Sequence, residues 1–315
     1  SSYTFINVTE DHTISATFSL STATGPVHNL TKDTYYNTIQ EALDDADSGN
    51  TIEVSDGTYN ENITSPSFPY GKIIILRSTN GASTTNIQGN DDSPTVTLGD
   101  SLEGTILEGF TITHTSGNYG SGIYNDANLT IKNCTISNNT TYSQGGGICN
   151  GYSGTLTIIA STISGNSADD FGGGISNYNG YGTLTIIAST ISGNSADRGW
   201  GGGISNSNGT LTITGSTISN NTAAESGGGI DNEFDATLTI TGSTISNNTA
   251  DGGGGGIDNS ATLTITGSTI SNNTVAESGG GINNEFDGKL TITGSTISNN
   301  TADGGGGGIY NEFDG

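Results

Sequence analysis

The stretch GGGISNSNGTLTITGSTISNNTAAES, residues 201–226, holds three short strand-forming runs set apart by glycine and asparagine. They read Gly-Gly-Gly-Ile-x-Asn, then Leu-Thr-Ile-x, then Ser-Thr-Ile-Ser-x-Asn. Side chains alternate along a strand, so Leu211 and Ile213 face one side while Thr212 and Thr214 face the other. Runs this short cannot close a core alone. Working outward, the Leu of Leu-Thr-Ile returns at Leu129, Leu156, Leu184, Leu238, Leu263 and Leu290, with spacings of 25 to 28 residues. Stacking each run on its counterpart one period away pairs every backbone group along a single axis. The sequence therefore predicts an all-β parallel solenoid with three faces and stacked Leu and Ile columns inside.

Two asparagine positions recur as faithfully. One follows the glycine-Ile run, from Asn125 through Asn206 to Asn311; the other closes the third run, from Asn139 through Asn221 to Asn300. Such columns read as amide ladders, each side chain bonding its neighbour one coil away. Glycine runs supply the corners, where φ > 0 is needed. Three-faced coils of this length, with Asn ladders and Gly-Gly-Gly-Ile turns, resemble the right-handed parallel β-helix of the pectin-lyase-like superfamily, and within it the repetitive surface proteins and adhesins. From residue 204 two coils form a longer repeat, since Ala-Glu-Ser-Gly-Gly-Gly-Ile at 224–230 returns at 276–282. Near-identity between coils suits an elongating rod better than a site that needs unique residues.

The chain divides into four parts on this reading. Residues 1–20 alternate as a β-hairpin or donor strand, with Tyr3, Phe5, Ile14, Phe18 and Leu20 on its apolar side, and resemble the last strands of an internalin-B-type repeat. Residues 21–36 read as a linker. Residues 37–110 hold a short capping helix, with Ile39, Ala42 and Leu43 at helical spacing, and irregular first coils whose segment 57–71 is expected to loop out. Residues 111–315 are the regular repeats, ending in an uncapped coil near Ile309. Counting anchors gives about ten coils, roughly 45 Å of rod at the strand spacing of a sheet. Strands 1–20 of one subunit covering the open last coil of the next would build a head-to-tail filament. Further repeats of a longer chain are the alternative.

Composition narrows the partners. Six Lys+Arg against 31 Asp+Glu leave a net charge of −25, which repels nucleic acid and anionic lipid. No stretch is apolar enough for membrane insertion. The resemblance to surface proteins and adhesins implies an extracellular or cell-surface location, with surface glycans as further partners.

Candidate chemistry is sparse. Enzymes of the resembled superfamily gather carboxylates and a base on one groove, whereas Lys32, Lys72, Arg77, Lys132, Arg198 and Lys289 are scattered over distant coils and the pair Asp169 and Asp170 has no such partner. His12, His28 and His114 lie too far apart in sequence for a metal triad. No cofactor is expected, apart from Ca²⁺ bridging the turn acids Asp169, Asp197, Glu225, Asp251, Glu277 and Asp303; a solvated ridge is the favoured reading of that row. Asn138, Asn220, Asn247, Asn272 and Asn299 stand in Asn-x-Thr sequons at exposed turns and are glycosylation candidates. Cys134 and Cys149 are predicted to point in opposed directions, Cys149 outward, against a disulfide. Turn aromatics including Phe171, Trp200, Phe234, Phe286 and Phe313 could stack on sugars. The outward Thr212/Thr214, Thr239/Thr241, Thr264/Thr266 and Thr291/Thr293 make a hydroxyl array like that of ice-binding solenoids, though Thr is also a good surface strand former. The leading expectation is a non-catalytic structural β-helix. A carbohydrate-binding or carbohydrate-active one is the alternative, and ice binding a minor third.

Overall fold

In the computed structural model the described residues are 24–65, 71–90, 92–99, 104–114, 120–151, 154–178 and 182–312. The repeat folds as its spacing dictates. Leu129, Leu156, Leu184, Leu211, Leu238, Leu263 and Leu290 pair in parallel register down the first face. Leu211 and Ile213 are fully buried, as are Leu238 and Ile240 one coil on, whereas Thr212 and Thr214 face out. Burying such a side chain contributes roughly 2 kcal/mol. The second face stacks the Ser-Thr-Ile-Ser runs and the third the Gly-Gly-Gly-Ile-x-Asn runs, each a sheet of ten parallel strands. Ten rungs make nine coil-to-coil steps in a right-handed β-solenoid.

A fourth, narrow strip adds to the three expected faces. Seven two-residue strands, from Thr140–Thr141 to Thr301–Ala302, stack between the second and third faces. Beneath them Ala196, Ala223, Ala250 and Val275 form a small second core, with Ala302 packed against it.

Both amide ladders are present. Asn125 Nδ2 donates to Asn150 Oδ1 at 2.8 Å, and the same bond repeats through Asn177, Asn206, Asn232, Asn259 and Asn284 to Asn311. In the second ladder each Asn gives its neighbour's Oδ1 both a side-chain and a backbone N–H, as Asn194 does to Asn221 at 3.0 Å. A third ladder, not expected from the sequence, runs through serines: the backbone N–H of Ser189 donates to Ser216 Oγ at 3.1 Å, and Ser216 to Ser243 likewise. Cys134 takes the first place in that row, donating its N–H to Ser161 Oγ.

The N-terminal end departs from the expected boundaries. Residues 24–36 are not a linker: Val27–Asn29 pairs antiparallel with Thr51–Val54 and with Thr34–Tyr36, extending the first face. Nor does 57–65 loop out. Gly57–Asn60 and Ile63–Thr64 are the first rungs of the second and third faces, pairing with Thr85–Gly89 and Val96–Leu98. Tyr59 and Ile63 are buried, which supplies the driving force that loop-like composition concealed. The expected helix forms at Ile39–Asp45. Thr38 Oγ1 accepts from the Glu41 N–H, and the Glu41 carboxylate accepts from the Asn37 and Thr38 N–H groups. Glu61 accepts the next two N–H groups, of Ile39 and Gln40. Ile39, Ala42 and Leu43 sit on the end of the core. The segment 1–20, with Tyr3, Phe5, Ile14, Phe18 and Leu20, lies outside the described residues.

Candidate functional site

On the third face the inward positions repeat and the outward ones do not. Alternation sends Ile230 and Asn232 inward and Asp231 and Glu233 outward. Parallel register then builds one outward column from Tyr124, Cys149, Ser176, Ser205, Asp231, Asp258 and Asn283. From Cys149 to Asn283 every member is buried. The corner before each glycine run folds over the column. A side chain on Gly253 would collide with the Asn283 amide and stand 2.9 Å from Asp258 Oδ1.

Cys149 points out of the solenoid, as alternation predicts, and is nevertheless covered. Burial pushes its thiol up to about 12 and that of Cys134, in the core, up to about 11. Both are free. Neither thiol reacts readily at such values.

Three coils on, the column turns acidic. Asp231 and Asp258 are 2% and 7% exposed and lie in register on adjacent rungs. Ser205 Oγ approaches Asp231 Oδ2 at 3.5 Å, while Asn283 Nδ2 donates to Asp258 Oδ1 at 2.7 Å and to Glu285 Oε2 at 3.0 Å. Burial, with the neighbouring charges of Glu233 and Asp258, holds Asp231 far above the usual carboxylate range. Burial, then the charge of Glu285, raises Asp258 to about 7. Glu233 is raised as well, chiefly by burial. Four acids thus lie on three successive coils, and the charges of Glu233 and Glu285 add to the burial that raises Asp231 and Asp258.

Beside them opens a cleft of about 360 Å³ lined by Phe171, Tyr178, Trp200, Ser207, Glu233 and Phe234. Phe171 and Trp200 occupy the same corner on successive coils, and their rings stack with centroids 5.3 Å apart and planes 15° from parallel. Phe234 holds a left-handed backbone, φ 60°, and its ring is 62% exposed. Sequence reasoning singled out the three aromatics without joining them. Register could have joined them, because 171 and 200 hold equivalent places before their glycine runs.

The turn acids do not converge. Asp169, Asp197, Asp251 and Asp303 each follow the last residue of the narrow strip, but Ala224 and Ala276 hold that place in the intervening coils, where Glu225 and Glu277 stand one residue later. Asp169 meets Arg198 at 3.5 Å, and Asp197 accepts from the hydroxyls of Ser167 and Ser195. Among the described residues no three His, Cys, Asp or Glu gather around a metal position. Asn138, Asn220, Asn247, Asn272 and Asn299 are exposed at left-handed corners, φ 55° to 57°, where Gly165 and Gly193 stand in other coils. Ile309 lies in the last described strand, 39% exposed. The Thr columns are in register across Thr210–Thr214, Thr237–Thr241 and Thr262–Thr266, and Lys289 takes the first place on the next rung.

Comparison with known proteins agrees with this architecture. Residues 71–224 match the right handed beta helix region, and residues 294–312 match the Chlamydia polymorphic membrane protein repeat. The pectate lyase Pel9A is similar in structure, with TM-score 0.54 at 14% identity over 88% of this chain and 76% of that one. The fold is a right-handed parallel β-helix, which it shares with that lyase. A pectin methylesterase from carrot, at TM-score 0.44, 13% identity and coverage of 88% and 84%, and one from Aspergillus niger, at TM-score 0.42, 16% identity and coverage of 86% and 84%, are also similar. No curated protein matches. These likenesses concern the β-helix itself, and the cleft of Trp200 and Glu233 stands on this chain's own residues.

Proposed function

We propose that the protein is a non-catalytic, surface-exposed β-helix, a stiff module that presents its faces to the outside of a cell. The observation that carries the reading is where the bases are. Lys32 pairs with Asp45 and Asp47, Arg77 with Glu53, Lys132 with Glu108 and Arg198 with Asp169, each on a different part of the rod. Among the described residues none of these ion pairs involves the buried acids, and no Lys, Arg or His lines the cleft beside them. Acid–base cleavage of a polysaccharide needs an acid and a base on one bond, and an anionic chain needs cations to hold it. A crowd of carboxylates can act as acid and base, but Asp231 and Asp258 are buried under the corner and supply no cation to hold an anionic chain. The repeat match to a family named for a membrane protein supports the surface location.

The test is incubation of the protein with polygalacturonate and with methyl-esterified pectin, with and without Ca²⁺, followed by assays for chain scission and methanol release. No turnover above a heat-treated control is expected. Turnover abolished by Asp231→Asn or Asp258→Asn would overturn the proposal and make the buried column an active site.

A further inference from the structure

The aromatic corner column runs Phe171, Trp200 and then stops. In the next coil Ser226 takes the place, its carbonyl accepting from the Gly201 N–H as that of Trp200 accepts from Gly172. Phe171 stacks on one indole face, and on the other side the next coil puts serine, not a ring, at the corner. Into that gap the strand Ile230–Glu233 brings Glu233, one rung beyond Ser207, and Phe234 projects from its left-handed backbone. Tyr178, just past the strand Ile175–Asn177, forms a further wall. The result is a pocket of aromatic surfaces with one carboxyl group, and behind it the buried Asp231 and Asp258.

Three properties define what such a pocket takes. Aromatic faces attract cations through the ring quadrupole, most strongly where water is excluded. A half-buried carboxylate with no counter-cation is costly, and a bound positive charge removes that cost. Glu233 and the acids behind it repel uronates, sulfates and phosphates. A small hydrated metal ion gains little from aromatic walls, and among the described residues no three acids converge to hold one. A cation that carries its own apolar surface satisfies all three.

We propose that the cleft of Phe171, Tyr178, Trp200, Glu233 and Phe234 binds an organic cation, a quaternary ammonium head group of the choline type. The positive charge sits against the free indole face and Phe234, with Glu233 as its counter-ion. Binding is non-covalent and independent of whether the rod is catalytic, so pectin turnover and choline binding fail separately.

Trp200 is the only tryptophan of the chain, so its fluorescence reports on this pocket. Choline chloride titrated at pH 8 against an equal-ionic-strength NaCl control is expected to change the emission saturably. The neutral isostere 3,3-dimethylbutanol is expected to bind about tenfold more weakly, and Glu233→Gln to weaken choline by a similar factor. Calorimetric titration of a Trp200→Phe variant, with its fold checked by circular dichroism, should retain weakened binding, because a phenyl face is a poorer cation partner. No saturable response to choline, equal affinity for the neutral isostere, or undiminished binding in Glu233→Gln would each overturn the assignment. Saturation by N-acetylglucosamine with no response to choline would also overturn it, and would point to a carbohydrate site. N-acetylarginine amide binding more tightly than choline would replace a small head group by a basic side chain of a partner protein.

Discussion

The inward and outward columns of the third face lie one residue apart along each strand, about 3.3 Å, and obey opposite rules. Inward, Ile204, Ile230, Ile257 and Ile282 repeat without change, and so do Asn206, Asn232, Asn259 and Asn284. Outward, the same rungs carry Ser205, Asp231, Asp258 and Asn283, equally buried and never settled on one residue. An inward asparagine is satisfied by its copy one coil away, so the repeat maintains itself. An outward acid stacked on its copy meets its own charge. Selection for a rod explains the first column, and only some further use explains keeping the second.

The largest expected effect attacks the self-satisfying side. Asn221 accepts two bonds from Asn194, donates to Asn248 and donates to the Ile191 carbonyl. Asn221→Leu conserves volume and removes partners from buried groups on the two flanking coils, at about 1–3 kcal/mol for each group left orphaned. A loss of about 4 kcal/mol or more in urea unfolding is expected. Ser205→Ala, in the outward column, should lose less than about 1 kcal/mol, since its one long contact to Asp231 is at 3.5 Å. Equal losses would erase the distinction between the columns.

Next comes pH. Asp258 titrates near 7 in the folded rod because it is buried and faces Glu285. In the unfolded chain an Asp titrates near about 3.9. Between those values the folded state holds a proton that the unfolded state has released, so stability is fully present below the unfolded value and is lost as pH rises through about 7. Urea midpoints should fall between pH 5 and pH 8 by the equivalent of a few kcal/mol. Asp258→Asn places there the residue that position 283 already carries. That variant should lose less stability over this range than the wild type, the remaining loss coming from Asp231, which burial also raises. A wild-type midpoint unchanged across this range would mean that the outward column is as indifferent to charge as the inward one.

The sequence made one column legible and hid the other for a physical reason. Alternation and period are local, so Leu211, Ile213 and both asparagine ladders could be placed from spacing alone. The burial of Cys149 and Asp231 depends on a corner folding over the strand, and alternation by itself reads any outward position as solvent. Glycine was the missed signal: Gly227, Gly253 and Gly279 lie where a side chain would strike the outward column. The early coils were obscured differently. Thr34–Tyr36, Gly57–Asn60 and Ile63–Thr64 are too short and polar to stand out until their partners are known. The aromatic cleft was named residue by residue and not as a site, because Glu233 enters it from a different face of the coil.

The smallest effect separates architecture from use within the outward surface itself. Phe234 and Phe286 are both 62% exposed and both held at positive φ, 60° and 53°, where a phenylalanine side chain crowds its own backbone. One coil before Phe234 the equivalent place carries Asn208 at φ 59°, a residue that tolerates this conformation. Phe234→Asn and Phe286→Asn should therefore each stabilise the rod slightly, by up to about 1 kcal/mol, measurable as a rise in melting temperature. If exposed aromatics here are only decoration, the two variants behave alike in every assay. If the cleft takes an organic cation, Phe234→Asn weakens the choline response of Trp200 several-fold while Phe286→Asn, which lines no part of that cleft, leaves it unchanged. Strain kept at one phenylalanine with a measurable cost in binding when it is relieved is strain retained for a ligand. The same strain at the other then reads as a by-product of the two-coil repeat, in which Asn-Glu-Phe-Asp at 232–235 returns at 284–287.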